Sequence, residues 1–203
     1  MNWLQILDLA GIFVFALSGC VVAVRSDMDV VGVVVLGLVT ALAGGVMRDI
    51  LIADLPPAAV REPGYLVMPL VAAALVIMSP ALTNRLWSPV LVLDAAGLGL
   101  FAAVSAGRAI DAGLGTIGVV LTGTVAAVGG GLVRDILANQ VPQIFATGSR
   151  LYAIPAAIGA GIVAAAHAAG APDGAAQTTA VAVTVLIRLL ALRFDWSAPL
   201  PRR

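Results

Sequence analysis

Two short segments of this chain place an arginine and an aspartate side by side within otherwise apolar sequence. They read AGGVMRDIL (residues 43–51) and GGGLVRDIL (residues 129–137). An ionised side chain near the middle of a membrane span costs about 2.5–3.5 kcal/mol on insertion scales, so such residues usually face the protein interior or water. Paired Arg and Asp can lock helices together, or they can form the wall of a polar path. We favour the polar path and keep the structural lock as its alternative.

The glycines in front of each Arg-Asp pair also allow two roles. Glycine permits the close approach of another helix, and it weakens a helix by about 1 kcal/mol relative to alanine. A helix that opened at these glycines would turn free carbonyl groups toward a water-filled cavity, where they could coordinate a cation. Both roles, close packing and ion coordination, apply to the same residues. These are Gly44 and Gly45 in the first segment, and Gly129, Gly130 and Gly131 in the second.

The charges in the two segments need partners elsewhere in the chain. Neighbouring residues point about 100° apart around a helix, so we expect Arg48 not to be neutralised by Asp49 alone. Similar depth within the membrane identifies candidates on other spans. The expected partners are Asp8 for Arg48 and Asp94 for Arg134, with Arg188 close to the second pair.

Other side chains that could do chemistry are few. Ser18, Thr40 and Ser105 lie on spans that carry or precede the two segments, and their hydroxyls could extend a polar wall. Such hydroxyls more often bond a carbonyl four residues back in their own helix. No combination of nucleophile, base and orienting group is visible, and no His, Cys or carboxylate cluster has the spacing of metal ligands. We therefore expect no enzyme, no metal site and no cofactor.

The elements that hold these residues are predicted to be transmembrane helices. The 203 residues are 61% hydrophobic and only 11% charged, with a mean hydropathy of +1.08. Charged residues make up about 25% of a soluble domain. The apolar runs exceed the roughly 10 residues of a barrel strand and reach the roughly 20 that a helix needs to cross a bilayer. We predict an all-α integral membrane protein with seven spans, at about residues 4–24, 30–55, 65–83, 89–107, 115–138, 150–170 and 175–193.

The sequence repeats itself at a distance of 86 residues. Identical pairs include Asp8 and Asp94, Gly11 and Gly97, and Phe15 and Phe101, and the alignment continues through both Arg-Asp segments. One membrane domain, residues 1–203, is therefore divided into a first repeat (4–83), a second repeat (89–170) and a seventh helix (175–193). Because each repeat has three spans, the second copy enters the membrane from the opposite side. Such inverted repeats commonly build a permeation path at their interface.

Arginine positions predict the orientation. With seven spans the termini lie on opposite sides, and the side that is richer in arginine faces the cytoplasm. One side carries Arg25, Arg85, Arg150, Arg193, Arg202 and Arg203, and the other carries Arg61 and Arg108. We therefore expect the N-terminus outside and the C-terminus in the cytoplasm. The composition is typical of the plasma (inner) membrane of a prokaryote, and the zero net charge indicates no nucleic-acid partner.

These features together resemble the prokaryotic branch of the trimeric intracellular cation (TRIC) channel family. The resemblance rests on the doubled Gly-Gly-x-x-Arg-Asp motif, the three-plus-three repeat and the seventh helix, and it extends from about Leu4 to Arg193. It implies a homotrimer in which each subunit has a pore for monovalent cations, chiefly potassium, beside glycine-kinked spans 2 and 5. The motif residues would then surround the path: Gly44, Gly45, Arg48, Asp49, Gly129, Gly130, Gly131, Arg134 and Asp135.

The chain also departs from that family pattern. Ala43 stands where the second motif has Gly129, so the two halves need not open equally. Animal members use lysines to bind an inositol phospholipid, and this chain has no lysine, although membrane lipids are still expected around it. The duplicated motif also resembles bacterial membrane proteins labelled as possible glycine transporters. A secondary carrier for a small amino acid such as glycine is therefore the alternative to a channel.

Overall fold

A computed structural model describes residues 3–79, 81, 85–86, 90–146 and 150–197. The predicted repeat boundaries at residues 83 and 89, and the terminal Arg202 and Arg203, lie outside the described residues. Eight helices lie in the described part of the chain, and seven of them are long. Together with the apolar composition, they make this an all-helical, multi-pass membrane protein.

The first half contains three long helices and one short helix. They are α1 (Trp3–Arg25), α2 (Val30–Leu51), the single turn α3 (Ala58–Arg61) and α4 (Pro63–Met78). Asp29 caps α2, because its Oδ1 accepts a hydrogen bond from the backbone N–H of Gly32 at 2.8 Å. Pro63 opens α4, a position where the missing N–H of proline costs nothing.

The second half has matching long helices and one more at its end. They are α5 (Val90–Asp111), α6 (Thr116–Leu137), α7 (Ala153–Ala168) and α8 (Asp173–Arg193). The seven predicted spans correspond to α1, α2, α4, α5, α6, α7 and α8; the short α3 was not predicted. Five of these helices are both long and apolar enough to cross a bilayer, while α4 and α7 are shorter, with 16 residues each.

The ends of α2 and α6 have the same geometry. Ala53 and Asn139, which lie 86 residues apart, both adopt left-handed backbone conformations, with φ of 56° and 55°. The next N–H reaches back five residues in each case, from Asp54 to the Asp49 carbonyl at 2.9 Å and from Gln140 to the Asp135 carbonyl at 2.8 Å. This arrangement ends a helix sharply. The second span therefore stops at Leu51 rather than near residue 55, and the following chain folds back over the motif aspartate.

The two halves meet at a centre made of aromatic rings and glycines. Helix α1 packs on α5, and α2 packs on α6. Phe15 and Phe101 stack there, with ring centroids 5.2 Å apart, and both are almost fully buried. A Cβ atom on Gly97 would overlap the Phe15 ring, and one on Gly11 would press on the Phe101 ring. The repeat thus places equivalent residues on both sides of one contact, while α8 packs mainly on the second half, against α5 and α7.

Candidate functional site

The first Arg-Asp segment belongs to a buried polar group that we call cluster 1: Asp8, Arg48, Asp49, Tyr65 and Arg108. Arg48 Nη1 donates to both carboxylate oxygens of Asp8, at 3.2 and 3.1 Å, across the contact between α2 and α1. The Tyr65 hydroxyl of α4 and Arg108 Nη2 of α5 donate to Asp8 Oδ2 at 2.7 and 3.1 Å. One carboxylate therefore holds four helices together.

The second segment forms an equivalent group, cluster 2: Ser18, Asp94, Arg134, Asp135 and Tyr152. Arg134 Nη1 donates to Asp94 Oδ1 and to the Ser18 hydroxyl, each at 2.7 Å. The Tyr152 hydroxyl, just before α7, donates to the same Asp94 oxygen at 3.3 Å. The predicted proximity of Asp8 to Arg48 and of Asp94 to Arg134 is therefore confirmed.

As expected, Arg48 is not neutralised by Asp49 alone, because it also binds Asp8, but the neighbouring Arg and Asp of each segment do bond each other. Arg48 Nε donates to Asp49 Oδ1 at 2.8 Å, and Arg134 Nε donates to Asp135 Oδ1 at 2.9 Å. The arginine side chain is long enough to bend back around the helix to its neighbour, while its terminal nitrogen reaches the next helix. The other oxygen of each aspartate accepts a backbone N–H from the following segment, from Ala58 at 2.8 Å and from Gln143 at 3.0 Å.

The two clusters differ in charge and in free hydrogen-bonding capacity. Cluster 1 contains two arginines and two aspartates, so its formal charges cancel. Cluster 2 contains two aspartates and one arginine. Among the described residues, the buried atoms of the two clusters without a hydrogen-bond partner are an acceptor in cluster 2, Asp94 Oδ2, and two donors in cluster 1, Arg48 Nη2 and Arg108 Nε. A cavity of about 380 Å³ adjoins cluster 2 and is lined by Asp94, Arg134 and Asp135, whereas the cavity beside Asp8 and Arg48 measures only about 10 Å³.

Arg188 of α8 lies at the edge of cluster 2, as predicted, and it contacts the Tyr152 ring of the cluster. Its guanidinium carbon lies 4.8 Å from the centre of the Tyr152 ring. Its Nη1 donates to the carbonyls of Arg150 and Leu151 at 3.0 and 2.8 Å, and its Nη2 donates to Gln143 Oε1. Helix α8 therefore anchors Gln143, Arg150 and Leu151, which lie between α6 and α7.

The glycines of the motif mainly serve close helix packing in this structure. Helices α2 and α6 continue without interruption through them. A Cβ atom on Gly44 would lie less than 3.0 Å from the carbonyl oxygen of Ala126, and one on Gly130 would lie equally close to that of Thr40. Thr40 and Ala126 are themselves 86 residues apart, so the contact is reciprocal. The structure thus favours packing over coordination by broken backbone at these two positions.

The remaining glycines and hydroxyls have mixed roles. Gly129 lies against Met47 and Gly44, Gly131 lies against the Tyr152 hydroxyl, and Gly45 has ordinary space around it. Thr40 Oγ1 donates to the Leu36 carbonyl of its own helix at 2.6 Å, which is the alternative role considered for such hydroxyls. Ser18 joins cluster 2, and the Ser105 hydroxyl is buried without a hydrogen-bond partner among the described residues.

Sequence reasoning missed three members of the clusters. Tyr65 and Tyr152 are the two tyrosines of the chain, and each lies a few residues before a proline of the repeat, Pro69 and Pro155, which was a usable signal. Arg108 was assigned to a loop, yet it continues α5 and reaches Asp8 and the Tyr65 hydroxyl, the latter at 2.9 Å. Nothing in the repeat pointed to it, because its counterpart in the first half is Val22.

Outside the membrane-spanning segments, one exposed ion pair lies near cluster 1. Arg61 Nη2 donates to Asp54 Oδ2 at 2.7 Å, and this hydrogen bond lowers the pKa of the Asp54 carboxyl. Both side chains are more than a third exposed, so water screens the pair and its contribution to stability is small. The pair positions the segment between α2 and α4 beside the motif.

Comparison with known proteins gives a consistent family. A family model described as "Glycine transporter" matches residues 5–80 and 91–168. The chain is similar to a UPF0126 membrane protein of Deinococcus radiodurans, with 44% identity over 80% of this chain and 74% of that one. It is also similar to the UPF0126 inner membrane protein YadS of Escherichia coli K12, with 39% identity over 96% of this chain and 93% of that one.

Solved structures with the same fold are TRIC channels. One, described as showing the "Structural basis for conductance through TRIC cation channels", has 34% identity and a TM-score of 0.89, covering 100% of this chain and 98% of that one. The TRIC trimeric intracellular cation channel orthologue from Rhodobacter sphaeroides has 33% identity and a TM-score of 0.88, covering 96% of this chain and 99% of that one.

Proposed function

Since this chain belongs to the UPF0126 membrane proteins, whose family model is described as a glycine transporter, and has the TRIC channel fold, we propose that it is a cation channel. Its conducted ion is a monovalent cation, chiefly potassium, and each subunit of a homotrimer has its own path. The support is structural similarity at 34% and 33% identity to proteins described as TRIC cation channels, over nearly the whole length of both chains.

The observation that carries this proposal is the pair of buried charge clusters, built alike in the two halves and separated by the Phe15–Phe101 stack. A carboxylate in a low-dielectric environment attracts a cation strongly, and an arginine bonded to it cancels that attraction. Moving Arg48 away from Asp8, or Arg134 away from Asp94, would therefore expose negative charge along a path. In this mechanism the arginines act as gates and the aspartates attract the ion.

We propose that the two ends of the path are not equivalent. Asp94 Oδ2 is buried without a partner among the described residues, and Asp94 lines a cavity of about 380 Å³, so a cation that enters this cavity comes close to an unpaired carboxylate oxygen. Asp8 Oδ2 accepts three hydrogen bonds and has almost no free volume beside it, so cluster 1 is closed. A transition to a conducting state would have to open cluster 1 and displace the phenylalanine stack.

We further propose the membrane topology. The two repeats are inverted, the N-terminus lies outside and the C-terminus lies in the cytoplasm of a prokaryote, with the protein in the inner membrane. The seven long helices and the equivalent contacts made 86 residues apart support this arrangement. A relative that is named an inner membrane protein supports the location. Cluster 2 would then lie nearer the cytoplasm.

The experiment that tests the channel is a planar bilayer recording with purified protein and a potassium gradient. The channel produces discrete current steps that reverse near the potassium equilibrium potential. The variant Arg108→Gln removes one of the two arginines on Asp8 and should change the current while the oligomer stays intact. Arg193→Gln, which lies at the end of α8 away from both clusters, is the matched control. Silent bilayers with well-folded protein would contradict the proposal.

A carrier for a small amino acid such as glycine is the second candidate. The family description favours it, and so does an apolar centre between two polar clusters of which one is closed, because a carrier opens to one side of the membrane at a time. Its signature is saturable glycine uptake into liposomes together with silent bilayers. Discrete potassium currents without glycine uptake would exclude it.

A further inference from the structure

A large cavity lies away from both clusters, where the first turn of α1 meets the last turn of α5 and the first turns of α8. We call it the end cavity, and its volume is about 720 Å³. Cavities that bind small molecules usually measure about 300–1,000 Å³. The residues that matter for its chemistry are Trp3, Leu4, Ile110, Asp111, Asp173 and Gln177.

The charge at the rim of the end cavity is negative. Asp111 and Asp173 both line it, and no arginine is among the described residues of its wall. Asp111 is the last residue of α5, where the negative end of the helix dipole disfavours a carboxylate. Within the described part of the chain Asp111 makes no ion pair, and the partner of Asp173 is His167 at 3.9 Å. These two carboxylates are therefore available to a positively charged ligand.

A buried amide faces the same space. Gln177 is only 3% exposed, and its side chain forms no hydrogen bond with any residue that the structure describes. Its Nε2 lies next to Gly107, where a Cβ atom would come within 2.9 Å. Because Gln177 lines the cavity, its amide can donate a hydrogen bond to a ligand bound there.

The rest of the cavity wall is apolar. Leu4, Ile110 and Val163 line it, and the Trp3 indole stands at its edge. An indole ring attracts an ammonium group through its face, and tryptophan is frequent at membrane interfaces. The ligand that suits this wall has an ammonium group, a hydrogen-bond acceptor beside it and an apolar body. A phospholipid can have all three groups, and phospholipid headgroups surround the ends of membrane-spanning helices.

We propose that the end cavity binds an ethanolamine phospholipid. The ammonium group lies between Asp111 and Asp173, an oxygen of the phosphate ester accepts from the Gln177 amide, and the start of an acyl chain covers Leu4 and Ile110. This site uses none of the residues of clusters 1 and 2, so it does not depend on the proposed conduction.

The test uses the intrinsic fluorescence of Trp3. In full-length protein carrying Trp87→Phe and Trp196→Phe, Trp3 is the remaining tryptophan. The delipidated protein in detergent is titrated with short-chain phosphatidylethanolamine below its critical micelle concentration, and separately with the corresponding phosphatidylglycerol. The expected result is a saturable signal with phosphatidylethanolamine, at least about fivefold tighter than with phosphatidylglycerol. Equal affinity for the two lipids would overturn the proposal.

Variants identify the groups that bind. Asp111→Asn together with Asp173→Asn should weaken binding of phosphatidylethanolamine about fivefold or more, because both carboxylates of the rim are lost. Both side chains are exposed, so the protein should still fold. Glu62→Gln is the matched control, since it removes an exposed carboxylate that lines no part of the end cavity. Unchanged affinity in the double variant, or an equal loss in the control, would refute the assignment.

Two further measurements distinguish the phospholipid from a soluble amine and test the role of Gln177. Free phosphoethanolamine should bind at least about tenfold more weakly than the lipid, because it lacks the apolar body. Equal binding would make the ligand a soluble amine and contradict the lipid. Gln177→Leu should weaken lipid binding without lowering the melting temperature of the lipid-free protein, since the unpaired amide is removed. A lower melting temperature with unchanged lipid affinity would show that Gln177 has only a packing role.

Discussion

Replacement of single glycines at the crossing of α2 and α6 tests whether the motif glycines pack helices or present carbonyls to ions. Gly44 and Gly45 are neighbours in one helix, yet their surroundings differ. A Cβ atom on Gly44 would lie less than 3.0 Å from the backbone oxygen of Ala126, which cannot rotate away. A Cβ atom on Gly45 would meet Arg48 Nη2 at 3.7 Å and Phe101 Cε1 at 3.8 Å, which are ordinary contacts.

The expected size of the effect follows from two opposing terms. Alanine stabilises a helix interior by about 1 kcal/mol relative to glycine, and this gain is the same for both variants. Gly44→Ala must also push α2 and α6 apart by on the order of 1 Å, and such overpacking costs about 1–3 kcal/mol. Comparison of the two variants cancels the first term. A difference of about 2 kcal/mol corresponds to about 4–8 °C in melting temperature for a chain of this size.

The assay is thermal unfolding of both variants in the same detergent, followed by size-exclusion chromatography or circular dichroism. Gly44→Ala should melt below the wild-type protein, and Gly45→Ala should melt at or above it. Gly130→Ala should behave like Gly44→Ala, because its Cβ would meet the Thr40 carbonyl in the same way. If Gly44→Ala melted as high as Gly45→Ala, the packing argument would be wrong.

Further substitutions test the clusters and the exposed ion pair. Tyr65→Phe removes the 2.7 Å hydrogen bond to Asp8 and should lower the free energy of unfolding by about 1 kcal/mol. It should also alter the bilayer current, and an unchanged current would contradict the role of cluster 1 in conduction. Arg188→Gln frees the carbonyls before α7 and should increase proteolysis of the segment between α6 and α7; equal cleavage of both proteins would argue against this anchoring. The Asp54 pKa is lowered by Arg61, so the contribution of this pair is present above about pH 4 and lost as pH falls through the folded pKa. Asp54→Asn should therefore slightly reduce the dependence of melting temperature on pH below about 4, and a steeper dependence would count against the pair.

Much of the candidate site could be predicted because the repeat is strong. The distance of 86 residues relates Arg48 to Arg134 and Asp8 to Asp94, and similar depth in the bilayer restricts which charges can meet. Arg108 could not be found in this way, because its counterpart is an apolar residue and its helix extends further than its composition suggested. The bond between Arg48 and Asp49 was missed because helix geometry fixes the direction of Cβ atoms but not the path of a long side chain.

The amino-acid sequence was enough to predict the membrane environment, the number of long helices and the duplication of the charged motif. These properties follow from composition, run length and residue spacing, which are local. The tertiary structure was needed to show that Gly44 and Gly130 bring α2 and α6 into reciprocal contact, that Tyr65 and Tyr152 complete the clusters, and that cluster 2 adjoins a cavity of about 380 Å³. Contacts between distant segments depend on how the helices cross and on which polar atoms remain unpaired. Both depend on three-dimensional packing and cannot be read from the order of residue types along the chain.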